Sequence, residues 1–152
     1  MGTLKLNNKL ALLSLFILSA CGEISCKNTG TRQIILSEWH QPLPQKITIE
    51  QFKKGSNFAT LEKKYTIDDL NISFYTVHDS HDLVITPRDD SRFSYNAEFI
   101  LTINNQYEYK IDSIIPGISR NNCLLKKARV NDRCDIQSSS YLFDARCANI
   151  LN

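Results

Sequence analysis

The densest group of residues able to do chemistry is His78-Asp79-Ser80-His81-Asp82. Two imidazoles and two carboxylates could ligate a divalent metal, and His with Ser could form a nucleophile–base pair. Neighbours on a hairpin tip diverge in direction, however, whereas a site needs converging groups. The stretch reads first as a solvated loop, so His78, Asp79, His81 and Asp82 form a candidate interaction loop and no metal site is expected. Asp68-Asp69 and Asp89-Asp90 could serve glycoside hydrolysis if they faced each other across a cleft. Both pairs sit in turn-like sequence, where Asp is favoured for local hydrogen bonding. Lys126, Lys127, Arg129 and Arg133 could face anionic headgroups or an acidic partner, although a solvated strand-and-turn face is the simpler reading. Trp39 beside His40 could be an exposed anchor, but a core tryptophan fits better.

What the sequence lacks narrows the field. There is no G-x-S-x-G, no Gly-rich phosphate loop and no H-E-x-x-H, and five glycines offer little material for a nucleotide cradle. Neither a catalytic residue nor a cofactor is therefore expected.

The cysteines indicate the compartment. Cys26, Cys123, Cys134 and Cys147 are an even set with no CxxC, and separations of 97, 11 and 13 fit no usual zinc pattern. Two disulfides are expected. The preferred pairing is Cys123–Cys134 with Cys26–Cys147; Cys26–Cys123 with Cys134–Cys147 is nearly as good.

The fifth cysteine, Cys21, belongs to a different pattern. Lys5 and Lys9 precede the uncharged run Leu10 to Ala20, which has the layout of an export signal. Eleven residues at about 1.5 Å each reach about half of a bilayer core, too little for a permanent span. Leu18-Ser19-Ala20-Cys21 resembles the lipobox of bacterial lipoproteins. The resemblance covers the leader and the cysteine only. It implies diacylglycerol on the Cys21 sulfur, cleavage before Cys21 and acylation of the new amino terminus, a multi-chain anchor that holds stably. Gly22 follows where an Asp would mark inner-membrane retention, so the resemblance implies the outer membrane, facing the periplasm. The mature domain is matched to no family by its residues.

The whole chain carries 18 Lys and Arg against 16 Asp and Glu. Residues 1–20 hold two lysines and no acid, so the mature body is neutral. Nucleic-acid binding, which needs a basic face, is not expected.

The elements that must position these residues read mainly as strands. Residues 21–31 form a short polar tether, and residues 32–152 a single β-rich domain. Arg32–Trp39 and Ile47–Ile49 are strand-like on either side of the break Pro42-Leu43-Pro44. Phe52 to Lys64 is ambiguous, with Phe58, Leu61 and Lys64 spaced for a short helix. Tyr65–Ile67 suits a short strand. Ser73–Val77 and Leu83–Thr86 make one hairpin around the His/Asp loop, and Pro87 to Asn96 is loop-like. Glu98–Ile103 and Tyr107–Asp112 make a second. An odd-length loop centred on Asn105 pairs Ile103 with Tyr107, Leu101 with Tyr109 and Phe99 with Ile111, while Thr102 meets Glu108 and Ile100 meets Lys110. That register gives one apolar face and one mostly polar face, and burial selects it. Ile114-Ile115-Pro116-Gly117 signals a turn. Cys123 to Cys147 reads as two short strands, with a turn at Asn131-Asp132. The expected fold is mainly β, a small antiparallel sandwich or partly open barrel with at most one short helix.

A neutral, anchored, disulfide-bonded β scaffold without a catalytic motif suits protein binding. The first expectation is an inhibitor or immunity protein that neutralises a toxin or a cell-wall-degrading enzyme. The second is a structural accessory subunit of an envelope secretion or assembly machine, and the third a cell-wall or glycan hydrolase.

Overall fold

A computed structural model describes residues 26, 29–68, 71–77, 79–88, 91–120, 122–136 and 141–151. The leader, Cys21, Asp69, His78, Asp89 and Asp90 lie outside the described residues. Thirteen strands are described: β1 (Gly30–Thr31), β2 (Ile34–Ser37), β3 (Ile47–Lys53), β4 (Leu61–Thr66), β5 (Ile72–Val77), β6 (Asp82–Pro87), β7 (Phe93–Ser94), β8 (Ala97–Ile103), β9 (Tyr107–Ser119), β10 (Asn122–Val130), β11 (Cys134–Ile136), β12 (Tyr141–Asp144) and β13 (Asn149–Ile150). One 3-10 turn spans Ala145–Cys147. The chain is mainly β and its sheets do not close into a barrel. Among the described residues no helix is long and apolar enough to cross a membrane.

The larger sheet runs β11-β10-β9-β8-β3-β4, with β13 also on β9, and the smaller runs β12-β2-β6-β5. Their inner faces share one core. Ile34, Leu36, Leu83, Ile85, Tyr141 and Phe143 from the smaller sheet meet Ile47, Ile49, Phe99, Leu101, Tyr109 and Ile111 from the larger. Across the layers Phe99 meets Tyr141 edge-on at 5.7 Å and Tyr109 packs on Phe143 at 5.3 Å. Buried tyrosine hydroxyls need acceptors. Tyr109 donates to the Ala145 carbonyl and Tyr141 to the Ser94 carbonyl, each at 2.9 Å. Burial pushes both phenols above their usual range. Among the described strands all pairings are antiparallel except β12 with β2, which is parallel.

The β8–β9 hairpin has the register that its alternation selects, with Ile103 opposite Tyr107, Leu101 opposite Tyr109 and Phe99 opposite Ile111. The hairpin around the His/Asp loop also forms, as β5 with β6. Phe52 to Lys64 forms no helix. Gly55, Asn57 and Phe58 take positive φ, which breaks helical geometry, and β3 turns back into β4. The Glu98 carboxylate secures this turn by accepting from the Gly55 and Phe58 amides at 2.8 and 2.9 Å. Pro116-Gly117 does not end β9 either. Both residues pair across to β10, and the irregularity is absorbed by bulges between Leu125 and Lys127 and between Lys127 and Arg129. Cys123 to Cys147 supplies three strands instead of two.

Gly30 and Thr31, placed by the sequence in the tether, pair with β7. A Cβ on Gly30 would collide with the Phe93 carbonyl, so only glycine permits this approach.

The disulfides are Cys26–Cys123 and Cys134–Cys147, which corrects the preferred pairing. In the β10–β11 ladder Cys134 lies opposite Val130. Cys123 is seven residues further along β10, about 23 Å away at about 3.3 Å per residue, and a bridge needs Cα atoms within about 7 Å.

In the chain-entropy account the bridge separated by 97 residues constrains the unfolded chain more than that separated by 13. Replacing Cys26 and Cys123 by Ser should lower unfolding stability by about 4–5 kcal/mol, and replacing Cys134 and Cys147 by about 3 kcal/mol. Urea unfolding of the two double variants checks the order.

Candidate functional site

One end of the sandwich carries an open apolar groove. Its construction starts where β2 stops. Glu38 takes φ 57° and turns the chain so that Trp39 enters the core. The Trp39 amide donates to the His81 carbonyl at 2.6 Å, and its indole N–H to the Pro42 carbonyl at 3.3 Å. Trp39 is buried, with the Tyr107 ring edge-on at 5.6 Å. The core reading of this tryptophan is correct, yet the same ring floors the groove.

The opposite wall comes from the C-terminal segment. β10 stops at Val130, and β13 takes over beside β9, with Asn149 opposite Glu108 and Ile150 opposite Tyr107. Asn131 fills the junction. Its side-chain oxygen accepts from the Lys110 amide, and its NH2 group donates to the Glu108 and Cys147 carbonyls, all at 2.7 Å. Cys134–Cys147 adds a covalent clamp, and the Leu151 amide donates to the Gln106 carbonyl at 2.8 Å.

The resulting groove encloses about 320 Å³ between Trp39, His40, Tyr107, Ala145, Arg146 and Ile150, among others. A second hollow of about 230 Å³ shares Trp39 and Gln41 with it and adds Leu43, Thr76, Val77 and His81. Ile150 is 69% exposed and Leu43 61% exposed. Buried aromatics with exposed aliphatic rims and an arginine are the composition of protein-binding hot spots.

The rim carries charge. His40 Nε2 lies 2.9 Å from a Glu38 carboxylate oxygen, and the His40 and His81 rings stand 4.7 Å apart. Asp144 caps the 3-10 turn by accepting from the Arg146 amide at 2.8 Å, and pairs with its guanidinium at 2.6 Å. The guanidinium hydrogen bonds hold the Asp144 carboxyl below the usual carboxylate range.

The His/Asp loop is placed at this end but does not converge. Of its described members only the His81 ring reaches the hollow. Asp79 is exposed, and the Ser80 hydroxyl donates to the Asp82 carboxylate at 2.7 Å, with no hydrogen bond from it to an imidazole among the described residues. Among the described residues no group of three or more His, Cys, Asp and Glu is arranged to hold a metal. Asp68 is exposed in a turn. The basic stretch is divided: Arg129 pairs with Asp112 and Asp132 at 3.1 Å each, and Lys127 with Asp135 at 3.4 Å.

Sequence reasoning missed the groove's Tyr107 and the wall at Ala145, Arg146, Ala148 and Ile150. The available signal was Ile150-Leu151, two large apolar residues beside the last cysteine. No family model, curated protein or solved structure matches this chain.

Two outcomes follow from these contacts. Asn131→Ala removes three backbone contacts and leaves a non-glycine residue at φ 50°. It should cost about 2–4 kcal/mol, and amide exchange should accelerate first at Lys110, whose N–H loses its acceptor. The folded-state value of Asp144 lies below its unfolded value of about 3.9. Its contribution to stability is thus complete above about pH 4 and is lost as pH falls through the depressed value. NMR titration of the Asp144 carboxyl should show the low midpoint, and Arg146→Ala should return it to the ordinary range.

Proposed function

We propose that this chain is a lipid-anchored protein of the outer membrane, facing the periplasm, which binds another protein through the Trp39 groove. It acts as an inhibitor or immunity protein against a toxin or a cell-wall-degrading enzyme, without catalysis or a cofactor of its own.

The observation that carries this reading is the polarity of β9. Tyr107, at one end of that strand, lines the groove. Ile118, near the other end, lies opposite Cys123, which is bonded to Cys26. Eleven residues at about 3.3 Å separate the two ends by about 36 Å. Cys21 precedes Cys26 by five residues, a reach of at most about 18 Å. An anchor on Cys21 therefore holds the Cys123 end at the membrane and leaves the groove outward, open to a soluble partner.

The second reading, an accessory subunit of an envelope machine, is favoured by the edge strand β5. It pairs only with β6 among the described strands and reads Ile-Ser-Phe-Tyr-Thr-Val, without charge. The opposite case is β4, whose exposed residues include Glu62, Lys63 and Lys64. An uncharged open edge accepts an added strand.

Survival under attack by toxin-producing sibling cells separates these readings. Deleting the gene should sensitise the cells, and the wild-type chain should restore protection. A chain with Leu43→Glu and Ile150→Glu, both at exposed positions, should fold with unchanged Tm and fail to protect, with partner affinity reduced at least tenfold. Equal survival with and without the gene would remove the immunity reading. Unchanged protection by the double variant would remove the groove.

A further inference from the structure

The arm formed by the far halves of β9 and β10 has features that the groove does not use. Beyond Ser113 the two strands continue as a hairpin whose last described pair is Ser119 opposite Asn122. Ile115 is 50% and Ile118 56% exposed there. Ile118 lies opposite Cys123, and Ile115 opposite Lys127, so the two isoleucines point to opposite faces of the arm and Ile118 is the one nearer its end. From Ser113 to Lys127 the sequence carries Arg120, Lys126 and Lys127 and no acidic residue, although the body without its leader is neutral. Arg120 and Lys126 are exposed, and among the described residues neither makes an ion pair.

We propose that this arm meets the bilayer end-on, with Ile118 near its end entering the interfacial region and Arg120 and Lys126 facing anionic headgroups. The inference rests on the anchored reading above and deepens it by naming the surface that touches the membrane. The occupant follows from chain length. Cys26 is bonded to Cys123 with Cα atoms 5.6 Å apart, and Cys123 is three residues from Arg120, about 10 Å along a strand. An acylated Cys21 within about 18 Å of Cys26 thus keeps the arm's end within reach of the headgroups. Apolar side chains with flanking cations are the composition that partitions to anionic interfaces. The arm would convert a flexible tether into a two-point attachment and fix which way the groove faces.

The test uses the full chain, produced in cells and reconstituted into vesicles of phosphatidylcholine and phosphatidylglycerol with brominated acyl chains. Trp39 is buried and gives a constant background. Ile118→Trp should be quenched at least twofold, whereas Ile150→Trp, at the groove end, should not be. Adding Arg120→Gln and Lys126→Gln should weaken arm contact about fivefold for each charge removed and reduce the quenching. Both disulfides are checked by mass in every variant. Equal quenching at positions 118 and 150 overturns the arm proposal. Intact mass of the same samples reads Cys21 acylation separately. Acylated chain without quenching at 118 sinks the arm and keeps the anchor. Quenching at 118 on unacylated chain keeps the arm and sinks the anchor. Loss of both signals removes both.

Discussion

The register of β8 against β9 is the constraint on which the rest depends. Side chains alternate with period two, so slipping β9 by one residue would turn Tyr109 and Ile111 to solvent and bring Glu108 and Lys110 inward. Both apolar residues are fully buried, and at about 2 kcal/mol for each buried side chain the slipped arrangement would lose about 4 kcal/mol, a large share of a domain's stability. Once that ladder is set, β3 pairs along β8 from Ile47 opposite Ile103 to Lys53 opposite Ala97, and β10 along the far half of β9. Tyr107 is thereby fixed at the groove and Ile118 at the Cys123 end. The positions of both ends follow from one pairing.

That pairing was legible in the sequence because it is local: two alternating runs and an asparagine-rich turn contain all the information needed. The pairing Cys26–Cys123 with Cys134–Cys147 was one of two nearly equal readings, and the choice was not legible because it depends on where β10 sits relative to a segment almost a hundred residues earlier. The groove was obscured for the same reason. Trp39, Tyr107 and Ile150 come from three distant parts of the chain, and each is individually an ordinary core or surface residue. Phe58 and Leu61 misled because helical spacing over a short stretch carries little weight. The competing signal was a carboxylate 40 residues away, since Glu98 satisfies the amides that close a strand turn.

Three buried or half-buried polar side chains are placed where strands stop. Glu98 closes the turn after β3, and Asn131 bridges the gap between β10 and β13. The Tyr109 hydroxyl reaches the Ala145 carbonyl just before β13. Backbone amides and carbonyls freed at strand ends are costly to bury unpaired. Side chains that satisfy two or three of them therefore define the ends of the sandwich as firmly as the apolar contacts define its middle. This explains why the groove wall stays attached to β9 although β13 is only two residues long.

The two bridges have different mechanical meanings when set against this frame. Cys134–Cys147 ties the 3-10 turn and the strand that follows it to β11, holding the wall of the proposed binding face. A preformed wall has less side-chain and backbone freedom to lose on association, so more of the contact energy remains for affinity. Cys26–Cys123 ties the start of the described fold to the arm, at the other end of β9. Under the proposed anchoring at Cys21, this bridge places the attachment at the arm, about 36 Å along β9 from the groove.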